Sequence, residues 1–287
     1  MLDISAMKIL STCDAIRNLI AQYKSNNVTI ALVPTMGHLH AGHISLVELA
    51  KQNADQVIVS IFINPTQFNQ ASDFDRYPRS LEHDLDRLSN LNIAAVFTPQ
   101  PDEIYPQGTS NTTKIIIPDL TNTLEGLCRP GHFEGVCTVV SKLFNIVSPD
   151  IAVFGEKDIQ QLLIIKRMTS DVSYNIKILP GPTLREADGL AMSSRNSLLS
   201  EQQRKHAKQI YDVLKLTKDQ FSTNKIKSLE NNASSFLENN GFRVEYFSIR
   251  DAKNLLSISQ DTENIAILVA VWLGDTRLID NLLFPMP

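Results

Sequence analysis

The sequence predicts an α/β fold: a parallel-sheet domain followed by a second, smaller α+β domain. Three observations predict it. Residues 28–33 form a short β-branched apolar run suited to a buried parallel strand, and Pro34-Thr35-Met36-Gly37 breaks it before a helical pattern begins. Residues 56–63 repeat the buried-strand pattern and stop at Asn64-Pro65, so strand, helix and strand follow in the order of a right-handed parallel crossover. Beyond Pro180-Gly181-Pro182 the character changes to helices near 200–219 and 226–238 and then strands over 242–249, 265–272 and 276–281. The domains are accordingly divided as 1–182 and 183–287.

In chain order, Thr12 and its neighbours give an N-cap signature before a helix carrying Ile16, Leu19, Ile20 and Tyr23. The helix after the first strand opens near Gly42-His43, with Ile44, Leu46, Val47, Leu49 and Ala50 on its apolar face. Asn69–Arg79 is polar with interleaved aromatics, the composition of a mobile flap, and Tyr77 is its foremost candidate for function. A helix over Arg79–Asn90 follows, then strands Ile93–Thr98 and Lys114–Ile117 and a helix over 134–147. Strand Ile151–Phe154, a helix over 159–169 and strand 176–179 complete the first unit, with Pro180-Gly181-Pro182 as a hinge.

At 287 residues and 43% hydrophobic content the chain has ample core for two domains. Its net charge of −4, with signs mixed, provides no basic stripe for nucleic acid, so any anion site must be built locally. No run approaches the roughly 20 apolar residues of a membrane span, and Met1–Leu10 has neither a basic leader nor a long apolar core, which makes cytoplasmic residence the expectation. Cys13, Cys128 and Cys137 are odd in number and far apart, and read as ordinary thiols rather than a disulfide framework.

The first turn of a helix offers unpaired N–H groups and a partial positive charge, and His40 and His43 stand at or beside such a turn. Gly37 and Gly42 leave room for a ligand to approach the backbone, so His40-Ala41-Gly42-His43 reads as a nucleotide-phosphate site. The alternatives are histidines that merely decorate a loop and a surface helix, or metal ligation by His38, His40, His43 and His132, whose spacing is not that of a zinc-protease helix. Asn64–Phe68 lies past the carboxyl end of a strand, where open α/β sheets bind ligands; Gln67 there suits a hydroxy acid, and a plain turn is the alternative. Gly155-Glu156-Lys157-Asp158 repeats the strand, glycine turn and helix start, with Lys157 a point charge for phosphate. Asp158 reads first as the N-cap of the following helix, with a ligand role as the alternative, and Gln160 and Gln161 stand where they can face the same crevice. Arg129 is a carboxylate or phosphate clamp or an exposed turn arginine. Ser193-Ser194-Arg195 can bind anionic oxygens, although composition alone makes 183–196 a linker.

The segments PTMGHLHAGH, FINPTQF, YPR, RPGHFEGV, FGEKDIQQL and TLREADGLAMSSRN, in this order and spacing, resemble the pantothenate synthetase (pantoate-beta-alanine ligase) family over nearly the whole chain. The resemblance implies a Rossmann-like, nucleotidyltransferase-type domain with a smaller C-terminal one, usually as a homodimer. It also implies two half-reactions. ATP and pantoate give pantoyl-adenylate and pyrophosphate, and the amine of beta-alanine then displaces AMP. By resemblance His40, His43, Lys157 and Arg195 are the catalytic set, with His43 the proton donor and Lys157 and Arg195 holding the phosphates and the leaving pyrophosphate. ATP is carried over to Met36, Gly37, His38, Leu39, His40, Ala41, Gly42 and His43, to Gly155, Glu156, Lys157 and Asp158, to the Leu184 backbone, and to Met192, Ser193, Ser194 and Arg195. Related adenylating enzymes begin this last signature with lysine, where Met192 stands here. Pantoate and beta-alanine are carried over to Gln67 and Gln161, and Asn64, Tyr77 and Arg129 complete the set. Mg²⁺ is expected to ride on the ATP phosphates, with no metal site of the protein's own. A nucleotidyltransferase acting on a phosphorylated acceptor would share the two-histidine turn, but would need cations where this chain offers Gln67 and Gln161. A non-catalytic nucleotide-binding module would lack a second-substrate site.

Overall fold

The computed structural model describes residues 7–69 and 71–287. The first unit runs β1 (Lys8–Leu10), α1 (Cys13–Lys24), β2 (Ile30–Thr35), α2 (Ala41–Lys51), β3 (Gln56–Ile61), α3 (Ala71–Arg76), α4 (Leu81–Ser89), β4 (Ala95–Phe97) and α5 (Pro101–Ile104). It continues with α6 (Leu124–Cys128), α7 (His132–Val147), β5 (Ile151–Gly155), α8 (Ile159–Asp171) and β6 (Lys177–Gly181). The strands form one parallel sheet in the order β1-β4-β3-β2-β5-β6. The chain leaves β2 toward β3 and β4 on one side and toward β5 and β6 on the other, so strand order reverses between β2 and β5. A crevice opens at their carboxyl ends, where such sheets bind ligands.

Burial explains the central strand. Ile30, Ala31, Leu32 and Val33 are all fully buried, because alternate side chains enter two different cores. Ile30 and Leu32 pack with Ile16, Leu19 and Ile20 of α1 and with α7, whereas Ala31 and Val33 pack with Val47 of α2 and Leu88 of α4. Each such Ile, Leu or Val side chain contributes about 1.5–3 kcal/mol of burial. Thr12 caps α1, its Oγ1 accepting the Ala15 N–H at 3.2 Å.

Two expectations are corrected. Lys114–Ile117 forms no strand: the segment lies across α7, its Ile115 N–H donating to Thr138 Oγ1 and its Lys114 pairing with Glu134, so its backbone meets helix side chains instead of a ladder. Pro180 and Gly181 do not begin a hinge but end β6, opposite Phe154 and Gly155. Proline is tolerated there because β6 is an edge strand. Within the expected flap, α3 is a short helix; Gln70 lies outside the described residues.

The second unit comprises α9 (Glu201–Ala207), α10 (Gln209–Asp219), α11 (Ile226–Asn239) and an antiparallel sheet of β7 (Arg243–Asp251), β8 (Asn264–Leu273) and β9 (Thr276–Pro285). Ile265, Ile267, Val269 and Val271 of β8 pack on Val213 and Leu214 of α10 and Leu229 and Leu237 of α11. Ala266 and Leu268 point the other way and join the core of the first unit. Among the described residues no helix is long and apolar enough to cross a membrane, and the three cysteines are free thiols.

A buried charge cluster joins the small sheet to helix α6 of the first unit. Arg277 of β9 donates to both Glu125 oxygens of α6 at 2.7 and 2.8 Å and to Glu245 of β7 at 2.6 and 2.9 Å. Tyr246 and Trp272 donate to the same two carboxylates. Burial alone would raise the Glu125 carboxyl, but the Arg277 hydrogen bonds overcome it and hold the group below the ordinary carboxylate range. Replacing Arg277 by Ala leaves two carboxylates buried without their cation, and we expect a loss of about 3–5 kcal/mol in urea unfolding at pH 7. The wild-type contribution should be complete above pH about 4.5 and disappear as pH falls through the lower folded value, because protonation dismantles the pair.

Candidate active site

After β2 the backbone turns sharply, with Gly37 at φ +80° and His38 at +50°. A Cβ at Gly37 would lie 3.0 Å from Asp84 Oδ2 and 3.1 Å from Ile61 Cγ2, so this left-handed residue has neither the conformation nor the space for a side chain. Asp84, 1% exposed on the inner face of α4, explains the turn. Its carboxylate accepts the His38 N–H at 2.8 Å and the Leu39 N–H at 2.7 Å, while Ser80 bridges it to His38 Nδ1. Leu81, Asp84, Leu85 and Leu88 fall on one helical face, so an acid inside an apolar stripe was the sequence signal for this residue.

His40 caps α2, which begins one residue earlier than the sequence pattern suggests. Its Nδ1 accepts the Gly42 N–H, and its own N–H donates to His43 Nδ1, both at 3.2 Å. With each Nδ1 an acceptor, the proton of each neutral ring sits on Nε2. Burial pushes His40 down to about 4 and His43 to about 3, helped by Lys157 for the first and by His40 and Lys157 for the second. Both rings line the cleft.

Asn64 and Gln67 occupy the turn after β3. Asn64 is buried and donates to Gln67 Oε1 and to the Gly135 carbonyl, while its own oxygen accepts from Thr66 and Tyr105. Asn64 thus fixes Gln67 rather than lining the cavity. A Cβ at Gly135 would lie 2.4 Å from the Thr66 carbonyl, so only glycine lets α7 approach this turn so closely. His132 of α7 donates from Nδ1 to the Gln67 carbonyl at 2.7 Å and accepts from Arg129 on Nε2 at 3.2 Å. Burial pushes His132 down to about 3 and Arg129 down to about 10, the neighbouring Arg195 adding to the second. The hydrogen bonds that Arg129 makes within the described residues run to neutral groups, one of them a long 3.5 Å contact to the Gln67 carbonyl.

Across the crevice, β5 delivers Glu156–Asp158 as a single helical turn before α8. Asp158 does not cap that helix with its side chain, contrary to expectation; it faces Lys157 Nζ at 3.7 Å. The turn is held from outside, by the Asn281 amide of β9 donating to the Glu156 and Lys157 carbonyls. Gln160 lines only one of two adjoining cavities, and its amide is occupied by the Glu125 N–H and the Leu120 and Thr123 carbonyls, whereas Gln161 lines both. In the 183–198 segment the Leu184 carbonyl pairs with the Met192 N–H. Ser193 accepts the Arg195 N–H, and Ser194 donates to the His38 carbonyl. Arg195 reaches Asp73 of α3 at 3.1 Å and lies over the Tyr77 ring.

Two adjoining cavities result. They share Arg129, His132, Lys157, Asp158, Gln161, Ser193 and Arg195. Met36, His40, Gly42, His43, Gln67, Tyr77, Gly155, Leu184, Met192 and Ser194 line the inner one. Of the expected residues, Gly37, His38, Leu39, Ala41, Glu156 and Asn64 line neither; Leu39 is instead a core residue, 4% exposed. Sequence reasoning missed Asp73, Asp84 and Asn281, and treated His132 only as a possible metal ligand. Among the described residues no group of three or more His, Cys, Asp or Glu is arranged to hold a metal.

Histidine ring C–H signals in NMR should show His40 and His43 neutral down to about pH 4 and 3 in the ligand-free protein. Both midpoints should move up when a phosphate anion such as pyrophosphate is added, if it enters this cleft, because phosphate charge favours the imidazolium. Below pH 6.5 the unfolded chain takes up protons that these folded rings do not, so stability falls toward pH 4; midpoints near 6.5 in the folded protein would contradict the burial argument. Asp84→Ala should cost about 1–3 kcal/mol for each N–H left unsatisfied, as measured by chemical denaturation.

The family model described as pantoate-beta-alanine ligase matches residues 8–283. Pantothenate synthetase from Thermus thermophilus is similar in structure with TM-score 0.87 at 37% identity, over 96% of this chain and 99% of that one. Pantoate-beta-alanine ligase from Francisella tularensis, complexed with beta-gamma ATP and beta-alanine, gives TM-score 0.82 at 37% identity, over 97% and 98% of the two chains. The parallel sheet with its two-walled crevice and the small antiparallel sheet packed against it are thus shared with these enzymes along almost the whole chain, and the chain belongs to the pantoate-beta-alanine ligase family.

Proposed function

We propose that this ligase condenses pantoate with beta-alanine through a pantoyl-adenylate, with the crevice between β2 and β5 as its active site. The observation that carries the reading is that His40 and His43, whose Nδ1 atoms are engaged and leave Nε2–H as donor, line one cavity together with the Lys157 and Arg195 cations and with Gln67 and Gln161. The Francisella relative, with a nucleotide and beta-alanine bound, supports it.

In the first step a pantoate carboxylate oxygen attacks the α-phosphorus of ATP, and the bond from that phosphorus to the bridging oxygen breaks to release pyrophosphate. Negative charge grows on the phosphoryl oxygens, where preorganised donors lower the barrier most. Neutral His40 and His43 supply hydrogen bonds there without the desolvation penalty of a buried cation. Once phosphate has raised its pKa, His43 can also carry the proton toward the leaving group. Lys157 and Arg195 hold the β- and γ-phosphates, and Mg²⁺ enters with the nucleotide as part of the substrate. Met36, Gly155, Leu184 and Met192 line the nucleotide side, with Gly42 admitting the phosphates. Gln67 and Gln161 hold the hydroxyl and carboxylate of pantoate, and Arg129 and Tyr77 border them. In the second step the beta-alanine nitrogen attacks the acyl carbon, the acyl–oxygen bond breaks, AMP leaves, and the nitrogen gives up its proton to form the amide.

Residues 1–182 supply most of the walls and 183–287 act as a lid that brings in Ser193 and Arg195. The homodimer and the cytoplasmic location typical of the family are part of the same proposal. Purified protein incubated with ATP, Mg²⁺ and pantoate should release pyrophosphate only when pantoate is present, and AMP only after beta-alanine is added. His43→Ala should lose both by about 10²–10³-fold, the cost of one transition-state donor, while retaining its fold by circular dichroism. Turnover indifferent to pantoate would sink the assignment.

A further inference from the structure

Asn281 belongs to β9 in the second unit and is 4% exposed, yet both hydrogen bonds of its side-chain amide cross to the first unit. Nδ2 donates to the Glu156 carbonyl at 2.9 Å and to the Lys157 carbonyl at 2.8 Å. Those carbonyls belong to a turn of the crevice that does not cap itself, since Asp158 makes no side-chain cap. A trans peptide points its N–H opposite its C=O, so fixing the two carbonyls also fixes the Lys157 and Asp158 N–H groups and the direction in which the Lys157 side chain leaves the backbone. The preceding residue ties down the other wall. Asp280 accepts two hydrogen bonds from Arg185 at 2.6 and 2.9 Å, and the Asn281 carbonyl accepts a third from the same guanidinium. Arg185 pairs with Ala191 in the hairpin that leads into Ser193–Arg195.

We propose that Asn281 is a positioning residue for Lys157, holding the Glu156–Asp158 turn in the register that the nucleotide requires through its two carbonyl hydrogen bonds. The proposal rests on the reading of Lys157 as a phosphate-binding residue. It makes the lid a contributor to the geometry of the opposite wall, in addition to the hydroxyls and guanidinium it carries itself. A displacement of about 1 Å at such a turn is enough for a loss of order 10²-fold.

The test is a double-mutant cycle of Asn281→Ala and Lys157→Ala, read as kcat/KM for ATP in pantoate-dependent pyrophosphate release, with thermal midpoints measured on every variant. Asn281→Ala should lower kcat/KM by tens-fold up to about 10²-fold, chiefly through KM for ATP. On the Lys157→Ala background the same change should lower it by less than about 3-fold, because the group being positioned is gone. Asn281→Asp, which keeps the size but sets a carboxylate oxygen against the carbonyls, should be at least as impaired, and it supplies the same cycle should the alanine variant fail to fold. Equal fold-losses on both backgrounds would overturn the proposal in favour of a general packing role. Wild-type kinetics for Asn281→Ala would overturn it outright. If Lys157→Ala alone left kcat/KM unchanged, the phosphate reading of Lys157 would fail first and this proposal with it, an outcome distinct from the other two.

Discussion

A single buried carboxylate determines the shape of the first wall of the crevice. Between β2 and α2 the chain reverses through two residues of positive φ, one of them a histidine, and a conformation of that kind persists only where its surroundings over-determine it. Asp84 does so by accepting two successive N–H groups that would otherwise be buried without partners. The Leu39 side chain is thereby driven into the core, and His40 is delivered to the N-terminus of α2. There an imidazole caps the helix in place of the usual hydroxyl or carboxamide. The reciprocal bond from the His40 N–H to His43 orients the second ring by the first. Both Nε2–H groups are committed to the cleft by bonds made on their opposite nitrogens, so donor direction follows from the fold without any ligand.

The chain carries a net charge of −4, yet three cations come together in the candidate site because of where the charges lie. Arg129, Lys157 and Arg195 converge on the residues common to the two cavities. Their acidic neighbours are few and unequal: Asp158 is 3.7 Å from Lys157, Asp73 pairs with Arg195, and the nearby Glu125 carboxylate is tied up by Arg277. Burial lowers the affinity of Arg129 for its proton while leaving it charged at neutral pH, with hydrogen bonds only to neutral partners among those described. A desolvated cation in that state gains most from an incoming carboxylate or phosphate, because the ligand replaces no competing ion pair. Asp73 has the opposite meaning. It occupies Arg195 in the structure, so on the proposed reading a phosphate bound by Arg195 would compete with Asp73 of α3.

The fold was legible wherever one residue pattern had one solution. The apolar runs at 28–33, 56–63 and 151–154 could only be buried strands, and their spacing required crossovers, so the sheet and its binding edge followed. The run at 114–117 has the same composition but no strand beside it; propensity names a conformation, not a partner. Within the candidate site, His40, His43, Lys157 and Arg195 stand out by residue type and position, and the fold brings all four to the walls of one cavity. The residues that hold them do not stand out. Asp84 is 46 residues from His38, and Asn281 is 124 residues from Lys157, so their partners exist only after folding. Asp158 shows the reverse error: a local capping rule was applied to a turn whose hydrogen bonds are supplied from another part of the chain.

β9 joins the two units in two chemically different ways, and the difference bears on how they are held together. Arg277 meets Glu125 and Glu245 through ions, which attract strongly once desolvated but must be stripped of water each time they meet. Such a contact favours one closed arrangement over its near alternatives more than it adds net stability. Asn281 meets the Glu156–Asp158 turn through a neutral amide, whose two bonds are individually modest, about 0.5–1.5 kcal/mol each, and highly directional. The ionic contact therefore selects the docked position of the sheet, and the amide sets the register of the turn within that position.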